Sequence, residues 1–301
     1  MDRLHQIQVF VAVVDANGFA GAARKLNLSP PAVTRAINEL EASLGARLLT
    51  RTTRVVRVTE AGERYAQDCR RILADLSEAD ESVTGLHGAP RGLITLTAPV
   101  LFGSLVVTPI VTEYLSLNPQ VQANCWFLDR VVNMMEEGVD VAVRIGELPD
   151  SSLQAIRVGS VRRVIVASPD YLKRHGRPQQ PQDLADHALI AAMGVTPTPE
   201  WKMHRDGETQ SVKLQARLST SSNEAALQAV RSGFGITRLL SYQVATDLAE
   251  GRLERLLVDW EPPALPVHVL HREGRYASQK SRGFIDLAVS RLRAHPAIHA
   301  E

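Results

Sequence analysis

The chain has 301 residues, 45% of them apolar and 22% charged, and its net charge is +1. That length exceeds one ordinary core and suits two or three units of roughly 100–150 residues, while the balance of residues excludes a disordered or fibrous chain. No run of about 18 apolar residues is evident, and the start, Asp2 followed by an amphipathic pattern, lacks the basic-then-apolar order of an export signal, so a cytoplasmic protein is expected. Cys69 and Cys125 fall on segments that read as different domains, so they can build neither a disulfide framework nor a four-ligand zinc site.

Leu4, Ile7, Phe10, Val11 and Val14 recur at helical spacing, and Asn17-Gly18, tolerant of left-handed backbone, closes that first helix. A short second helix carries Phe19, Ala22, Ala23 and Leu26 on one face. Asn27-Leu28 then leads to Ser29, a good N-cap, with Pro30 and Pro31 at positions whose amides no helix could use. In the third helix Val33, Ala36, Ile37, Leu40 and Leu44 point one way and leave Thr34, Arg35 and Asn38 on the opposite, polar face. Arg47–Arg51 and Val55–Thr59 read as two short strands around the basic tip Thr52-Thr53-Arg54. Together these elements read as a winged helix-turn-helix.

From Thr59 a helix is expected to run to about Thr84, with Glu60 and Glu63 in its first turn. Along it Cys69, Ile72, Leu76, Ala79, Val83 and Leu86 alternate spacings of three and four, the seam of a two-stranded coiled coil or antiparallel helix pair; packing on its own domain is the alternative. Gly85, Gly88, Pro90 and Gly92 mark a linker. Beyond it strands (Leu93–Ala98, Gln120–Phe127, Val139–Ile145, Gln154–Val158, Val161–Ala167) alternate with helices (Gly103–Leu117, Asp129–Glu137, Pro169–Arg174, Ser222–Arg231) in an α/β rhythm. Residues 1–58, 59–90 and 91–301 therefore divide into a DNA-binding type of unit, a dimerisation and linker helix, and an α/β domain.

Charge is distributed unevenly. Between Arg24 and Val58 seven basic residues (Arg24, Lys25, Arg35, Arg47, Arg51, Arg54, Arg57) face two acidic ones, Glu39 and Glu41, a local excess of +5. That excess fits a nucleic-acid footprint, although a solvated basic face gives the same count.

The stretch from Phe10 to Gly62 resembles the LysR-type transcriptional regulators. The carriers are Phe19-Ala20-Gly21-Ala22-Ala23-Arg24-Lys25-Leu26, Leu28-Ser29-Pro30-Pro31-Ala32-Val33-Thr34-Arg35, Leu48-Leu49-Thr50-Arg51-Thr52-Thr53-Arg54 and Thr59-Glu60-Ala61-Gly62. Weaker likenesses follow in Ala98-Pro99, in Asp140-Val141-Ala142-Val143-Arg144-Ile145-Gly146 and in Gly233-Phe234-Gly235-Ile236. The family usually has Ala where Gly21 stands, and often a small or aliphatic residue at the position of Arg238. The resemblance implies a homodimer or homotetramer on double-stranded promoter DNA, and a two-lobed effector domain similar to periplasmic binding proteins. Lobe I would span about 91–162 and 267–301 and lobe II about 163–266, joined by crossing strands near Val161–Ala167 and Val267–His271.

A recognition helix reads base edges through its N-terminal half in the major groove. Pro31, Thr34 and Arg35 are expected near bases, Ser29 and Asn38 near phosphate, Pro30 on the same DNA-binding face, and Arg51, Thr53 and Arg54 of the wing against the backbone or minor groove. The alternative for Arg35 is a surface pair with Glu39 four residues on. For the small-molecule effector the expected contacts are Pro99 and Val100, the helix start Phe102-Gly103-Ser104 with backbone donors that favour an anion, Asp129, Arg144, Asn223, Ile236 and Thr237, and a carboxylate is the expected class. Asp129 and Asn223 could instead be plain N-caps and Arg144 an ion-pair partner. No catalytic, cofactor or metal site is expected: Gly233-Phe234-Gly235 lacks a third glycine, and His268 and His271 lie three apart in a strand.

Overall fold

In the computed structural model, residues 2–51, 56–84, 89–148, 153–192, 200–205, 207–213, 215–272 and 278–299 are described. The chain divides into two units, Met1–Gly88 and Ala89–Glu301.

In the first unit α1 (Arg3–Asp15), α2 (Phe19–Leu26) and α3 (Pro30–Leu44) surround a core of Phe10, Val13, Ala22, Val33, Ala36, Ile37 and Leu40. The buried face of α1 is wider than its spacing suggests, taking in Gln6, Val9, Ala12 and Val13, with Val11 and Val14 only half-buried. Asn17 and Asn27 close the first two helices in left-handed conformation, and Gly45 closes the third. Ser29 caps α3, its Oγ accepting the Ala32 amide at 3.4 Å. Gly21 has a local reason: a Cβ there would lie 2.7 Å from the Ala16 Cβ, a clash that offsets the roughly 1 kcal/mol of helix propensity an alanine would add.

Two short strands, β1 (Leu49–Arg51) and β2 (Val56–Val58), pair antiparallel with Leu49 opposite Val58. They stop short of Arg47 and Thr59 because Thr59 is engaged elsewhere: its hydroxyl donates to the Arg47 carbonyl at 2.9 Å and accepts the Gly62 amide at 2.9 Å. That turns the chain into α4 (Glu60–Thr84), which adds Ala66 and Cys69 to the same core. The expected wing tip, Thr52-Thr53-Arg54, and the start of the second arm at Val55 lie outside the described residues.

The second unit contains, in chain order, β3 (Gly92–Ala98), α5 (Val100–Phe102), a π-helical turn Gly103–Val107, α6 (Thr108–Leu117), β4 (Val121–Phe127), β5 (Val141–Ile145), β6 (Leu153–Val161), β7 (Arg163–Ala167), α7 (Pro169–His175) and β8 (Leu189–Ala192). There follow β9 (Glu200–Arg205), β10 (Glu208–Lys213), β11 (Ala216–Thr220), α8 (Asn223–Arg231), β12 (Ile236–Leu240), α9 (Ser241–Ala249), β13 (Glu254–Leu256), β14 (Leu265–Arg272) and α10 (Gln279–Arg293). Two five-stranded sheets result, ordered β4-β3-β5-β14-β6 and β11-β8-β12-β7-β13, with β9 and β10 as a separate hairpin. The α5–α6 segment is apolar enough by length and composition to cross a membrane, a stretch that simple inspection for an apolar run passes over because Ser104, Pro109 and Glu113 interrupt it. Here Leu101, Phe102, Val106, Val107, Ile110 and Val111 supply the core of the first sheet. The π-helical turn precedes Pro109, which lacks an amide for the Leu105 carbonyl and would clash with it; widening the turn removes the conflict.

Three expectations need correction. Asp129–Glu137 forms turns rather than a helix, because side chains satisfy the backbone instead: Asn133 Oδ1 accepts the Met135 amide at 3.1 Å, and Glu137 Oε1 accepts the Asn133 amide at 3.2 Å. Val161–Ala167 is broken at Arg162, so β6 ends in the first sheet and β7 begins in the second. Val267–His271 does not cross at all. It lies inside the first sheet, paired with β5 from Val267 opposite Ile145 to His271 opposite Val141. The return crossing falls between Leu256 and Leu265, where Pro262-Pro263 cannot join a ladder.

Strand direction fixes what these crossings bring together. β3 is parallel to β4 and β5, β12 is parallel to β8, and β8 is parallel to β11. β6 delivers the chain at the end where β3, β4 and β5 have their carboxyl termini, and β7 receives it at the carboxyl ends of β8, β11 and β12. The two sheets therefore meet strand-end to strand-end around Arg162, which is held to the start of α9: its amide donates to Ser241 Oγ at 3.1 Å and its carbonyl accepts the Ser241 amide at 2.8 Å.

Glu41 joins the third helix to the hairpin, its Oε1 accepting the Leu48 and Leu49 amides at 2.8 and 2.9 Å. Bonds to a charged acceptor contribute about 1.5–3 kcal/mol each. Glu41→Ala is expected to speed hydrogen exchange at Leu48 and Leu49 by roughly ten- to a hundredfold; unchanged protection of both amides would refute the coupling.

Candidate functional site

On the first unit, the outward face of α3 carries exposed Pro30, Pro31, Arg35 and Asn38 and half-buried Thr34. With Glu39 these residues line a single open depression along the helix. Glu39 accepts the Gln6 amide at 3.1 Å. The alternative pairing of Arg35 with Glu39 does not form: among the described residues no hydrogen bond or ion pair holds the Arg35 guanidinium. Ser29 stands exposed at the head of this face, its hydroxyl on the Ala32 amide. Arg51 ends β1, while Thr53 and Arg54 lie outside the described residues. A capped helix with its apolar side in a core and short polar and cationic side chains outward has the chemistry to enter a major groove.

On the second unit, the strand-end junction gathers most of the first-lobe residues expected there. Asp129 Oδ1 accepts the Val100 amide at 3.0 Å, so the carboxylate caps α5 from the end of β4. Tyr242, from α9, stacks edge-on against Phe102 at 5.0 Å. Burial pushes the Tyr242 phenol well above its usual range, and the nearby Asp129 charge adds to the effect. Of the backbone donors at this helix start, the Val100 amide is held by that carboxylate and the Gly103 amide by the Pro99 carbonyl at 2.7 Å. Gly103 is required for the close approach beneath it, since a Cβ would meet the Phe127 ring at 2.3 Å. Pro99 is half-buried, and Val100 and Ser104 are exposed.

Arg144 is half-buried on β5 and donates to the Val143 carbonyl at 3.2 Å and weakly to Thr97 Oγ1 at 3.5 Å. Thr97 in turn donates to the Trp126 carbonyl at 2.7 Å. Burial lowers the Arg144 pKa and Arg130 lowers it further, opposed by Glu137 and Asp129. Asn223 opens α8, but the cap is Ser222, whose Oγ accepts the Ala225 amide at 3.2 Å, so neither Asn223 nor Asp129 caps its own helix. Ile236 and Thr237 are not at a surface. Both are fully buried, Ile236 in the core of the second sheet and Thr237 donating to the Ile190 carbonyl at 3.0 Å. They belong to a strand that begins before the turn was expected to end. Sequence reasoning passed over Tyr242 and Thr97; the signal available was only a polar residue within two positions of a strand end.

These two units define a helix-turn-helix joined to a two-lobed α/β ligand-binding domain. Residues 4–63 match the model of the bacterial regulatory helix-turn-helix protein, lysR family, and residues 87–293 that of the LysR substrate binding domain. An uncharacterized HTH-type transcriptional regulator of Haemophilus influenzae is 33% identical, covering 94% of this chain and 98% of its own. The HTH-type transcriptional regulator PtxR of Pseudomonas aeruginosa is also 33% identical, with 98% and 94% covered. The solved structure of CrgA, a LysR-type transcriptional regulator from Neisseria meningitidis, superposes with a TM-score of 0.63 at 30% identity over 96% of this chain and 98% of that one. The chain belongs to the LysR family of transcriptional regulators, with a helix-turn-helix DNA-binding domain and an effector-binding domain.

His268, paired across the ladder with Arg144, has a buried Nδ1 without a hydrogen-bond partner among the described residues. Its pKa is lowered by burial and by Arg157, against Glu147. Because the folded value lies below the unfolded one, protonation favours unfolding. The neutral form's stability is present above the unfolded pKa of about 6.5 and is lost as pH falls through the folded value. His268→Gln is therefore expected to flatten the fall in melting temperature between about pH 7 and pH 5, and an unchanged slope would exclude this histidine as its source.

Proposed function

We propose that the chain binds promoter DNA sequence-specifically as a homodimer or dimer of dimers, and that a small molecule held between the two lobes of its second unit sets the strength of that binding. The observation that carries the DNA part is the outward face of α3, where Pro31, Thr34 and Arg35 line an open depression and no acid pairs with the Arg35 guanidinium among the described residues. Arg35 reads guanine through a bidentate contact, and Pro31 and Thr34 lie against base edges. Ser29 and Asn38 hold phosphate, as do Arg51, Thr53 and Arg54 of the wing, while Pro30 makes van der Waals contact with the DNA.

The dimer forms along α4. Its 25 residues make a rod of about 37 Å, and beyond the buried Cys69 it exposes Ile72 and Leu76, 46% and 38% accessible, four residues apart on one face. Two such stripes hide each other in a paired helix. The effector site is the junction of strand ends, where Pro99, Val100, Ser104, Asp129, Arg144 and Asn223 present side chains and backbone, with Phe102 and Gly103 shaping its floor. Ligand affinity and DNA affinity are then coupled reciprocally. The protein acts in the cytoplasm and without catalysis.

The test is fluorescence anisotropy of the purified protein on DNA from just upstream of its own gene, beside a shuffled duplex, across a salt series. Tight, steeply salt-dependent binding to the native fragment alone is the expected result, and an absence of DNA binding under all conditions would remove the reading. Arg35→Ala is expected to cost roughly 1–3 kcal/mol of specific binding and relax sequence preference, whereas Arg54→Ala weakens all duplexes alike. Unchanged operator affinity in Arg35→Ala would sink the assignment of the reading residue.

A further inference from the structure

Two arginines of the second sheet stand out by what they lack. Arg163 opens β7 and Arg238 lies on β12, whose ladder sets Leu240 opposite Arg163 and Arg238 opposite Ile165. The two are therefore diagonal neighbours on one face, at the sheet's crossing end, within reach of each other's long side chains. Arg238 lies 5.4 Å from the centre of the Trp201 ring and donates to the Lys202 carbonyl at 3.3 Å, both on β9. Both arginines are half-buried. Burial lowers the pKa of each, and Arg163 adds to the fall at Arg238, which is pushed down to about 10.

Several other arginines of this unit meet acids: Arg231 and Arg252 share buried Asp247 at 2.6 and 2.7 Å, Arg255 pairs with Glu261 at 2.6 Å, and Arg130 with Glu137 at 2.5 Å. No carboxylate reaches Arg163 or Arg238 among the described residues. Arg162, between the sheets, has a buried Nε with no hydrogen-bond partner among those residues. Holding like charges together out of water without a counter-charge is costly, and natural structures keep such arrangements where an anion completes them. Meanwhile the helix start of the first lobe, the other place suited to an anion, is occupied by Asp129.

We propose that Arg163 and Arg238, beside the Trp201 face, form the oxyanion-binding end of the effector site, so that the acidic group of the ligand is held by the second lobe. This deepens the effector reading above and rests on it for its regulatory meaning. A planar oxyanion can accept from two guanidinium forks at once, and it joins β7, immediately after the crossing, to β12, immediately before α9. Filling the site thus ties the crossing to the helix whose Tyr242 reaches Phe102.

The experiment measures melting temperature and tryptophan fluorescence of the full-length protein, free of DNA, titrated with benzoate or inorganic phosphate, with sodium chloride at matched ionic strength as reference. A saturable stabilisation beyond chloride is expected, and the two arms separate an organic carboxylate from free phosphate as its source. Arg238→Gln and Arg163→Gln should each weaken the midpoint by at least about tenfold, ~1.4 kcal/mol, while Trp201→Phe removes the fluorescence response but not the stabilisation. Arg238→Leu separates an uncompensated cation from a merely structural one: with the charge gone, the ligand-free melting temperature should hold or rise. No saturable response to either anion, an undiminished response in both glutamine variants, or a ligand-free Arg238→Leu protein that melts markedly lower would each overturn the proposal. Because the readout needs no DNA, its failure leaves the DNA-binding reading standing, and a failure of DNA binding leaves this one intact.

Discussion

Strand polarity is the constraint on which the second unit depends. A parallel ladder places the loops after its strands on one edge of the sheet, and two such sheets that exchange the chain through a single residue must face those edges toward each other. Arg162 is that residue, and its paired hydrogen bonds to Ser241 fasten the exchange point to α9. Everything assigned to the junction follows from this: the cap on α5 supplied by Asp129, the position of Arg144 near the end of β5, and the delivery of Tyr242 from one lobe into the core of the other. A ligand there touches elements of both lobes without either sheet having to deform.

Charge compensation divides the junction into unlike halves. On the first lobe the carboxylate of Asp129 already holds the Val100 amide at the start of α5, and Glu137 holds Arg130. On the second lobe Arg238 meets a ring face and a backbone carbonyl, and no carboxylate reaches it or Arg163 among the described residues. Desolvation without neutralisation lowers stability, and a family member that retains it retains a stress that binding can relieve. The first unit shows the opposite economy: Glu41 and Thr59 each satisfy two or more backbone groups and so hold the hairpin, with three residue pairs in its ladder among the described residues, against α3.

The first unit was legible almost residue by residue. Helix caps and breakers act locally, and Asn17, Ser29-Pro30-Pro31, Gly45 and Thr59 stop or start elements by their own chemistry, without help from distant contacts. In the second unit β3 to β7 and the helices α6, α7 and α8 were legible, whereas β8 to β13, α9 and α10 were not named in advance. What failed there needed three-dimensional information. Asp129–Glu137 has a helix-like composition, but Asn133 and Glu137 capture the backbone that a helix would use. Ile236 and Thr237 sit beside a glycine pair that reads as a surface turn, whereas the strand starts at once and buries them. The first crossing fell where it was expected, but Val161–Ala167 looks continuous although its two halves belong to different sheets, and the return crossing was placed several residues too late. The partners of Tyr242 and Arg238 come from segments more than 30 residues away, and no local pattern announces them.

The π-helical turn at Gly103–Val107 has an evolutionary consequence. It holds one residue more than an α-helical path would need, and the surplus is anchored where Thr108 donates both its amide and, at 2.9 Å, its hydroxyl to the Gly103 carbonyl. Deleting a residue here would rotate everything upstream by about 100° relative to α6, swinging Phe102 off Tyr242 and Asp129's acceptor site off Val100. Insertions and deletions within this short stretch are therefore a route by which descendants of one ancestral scaffold can re-aim the same ligand loop while leaving both sheets unchanged.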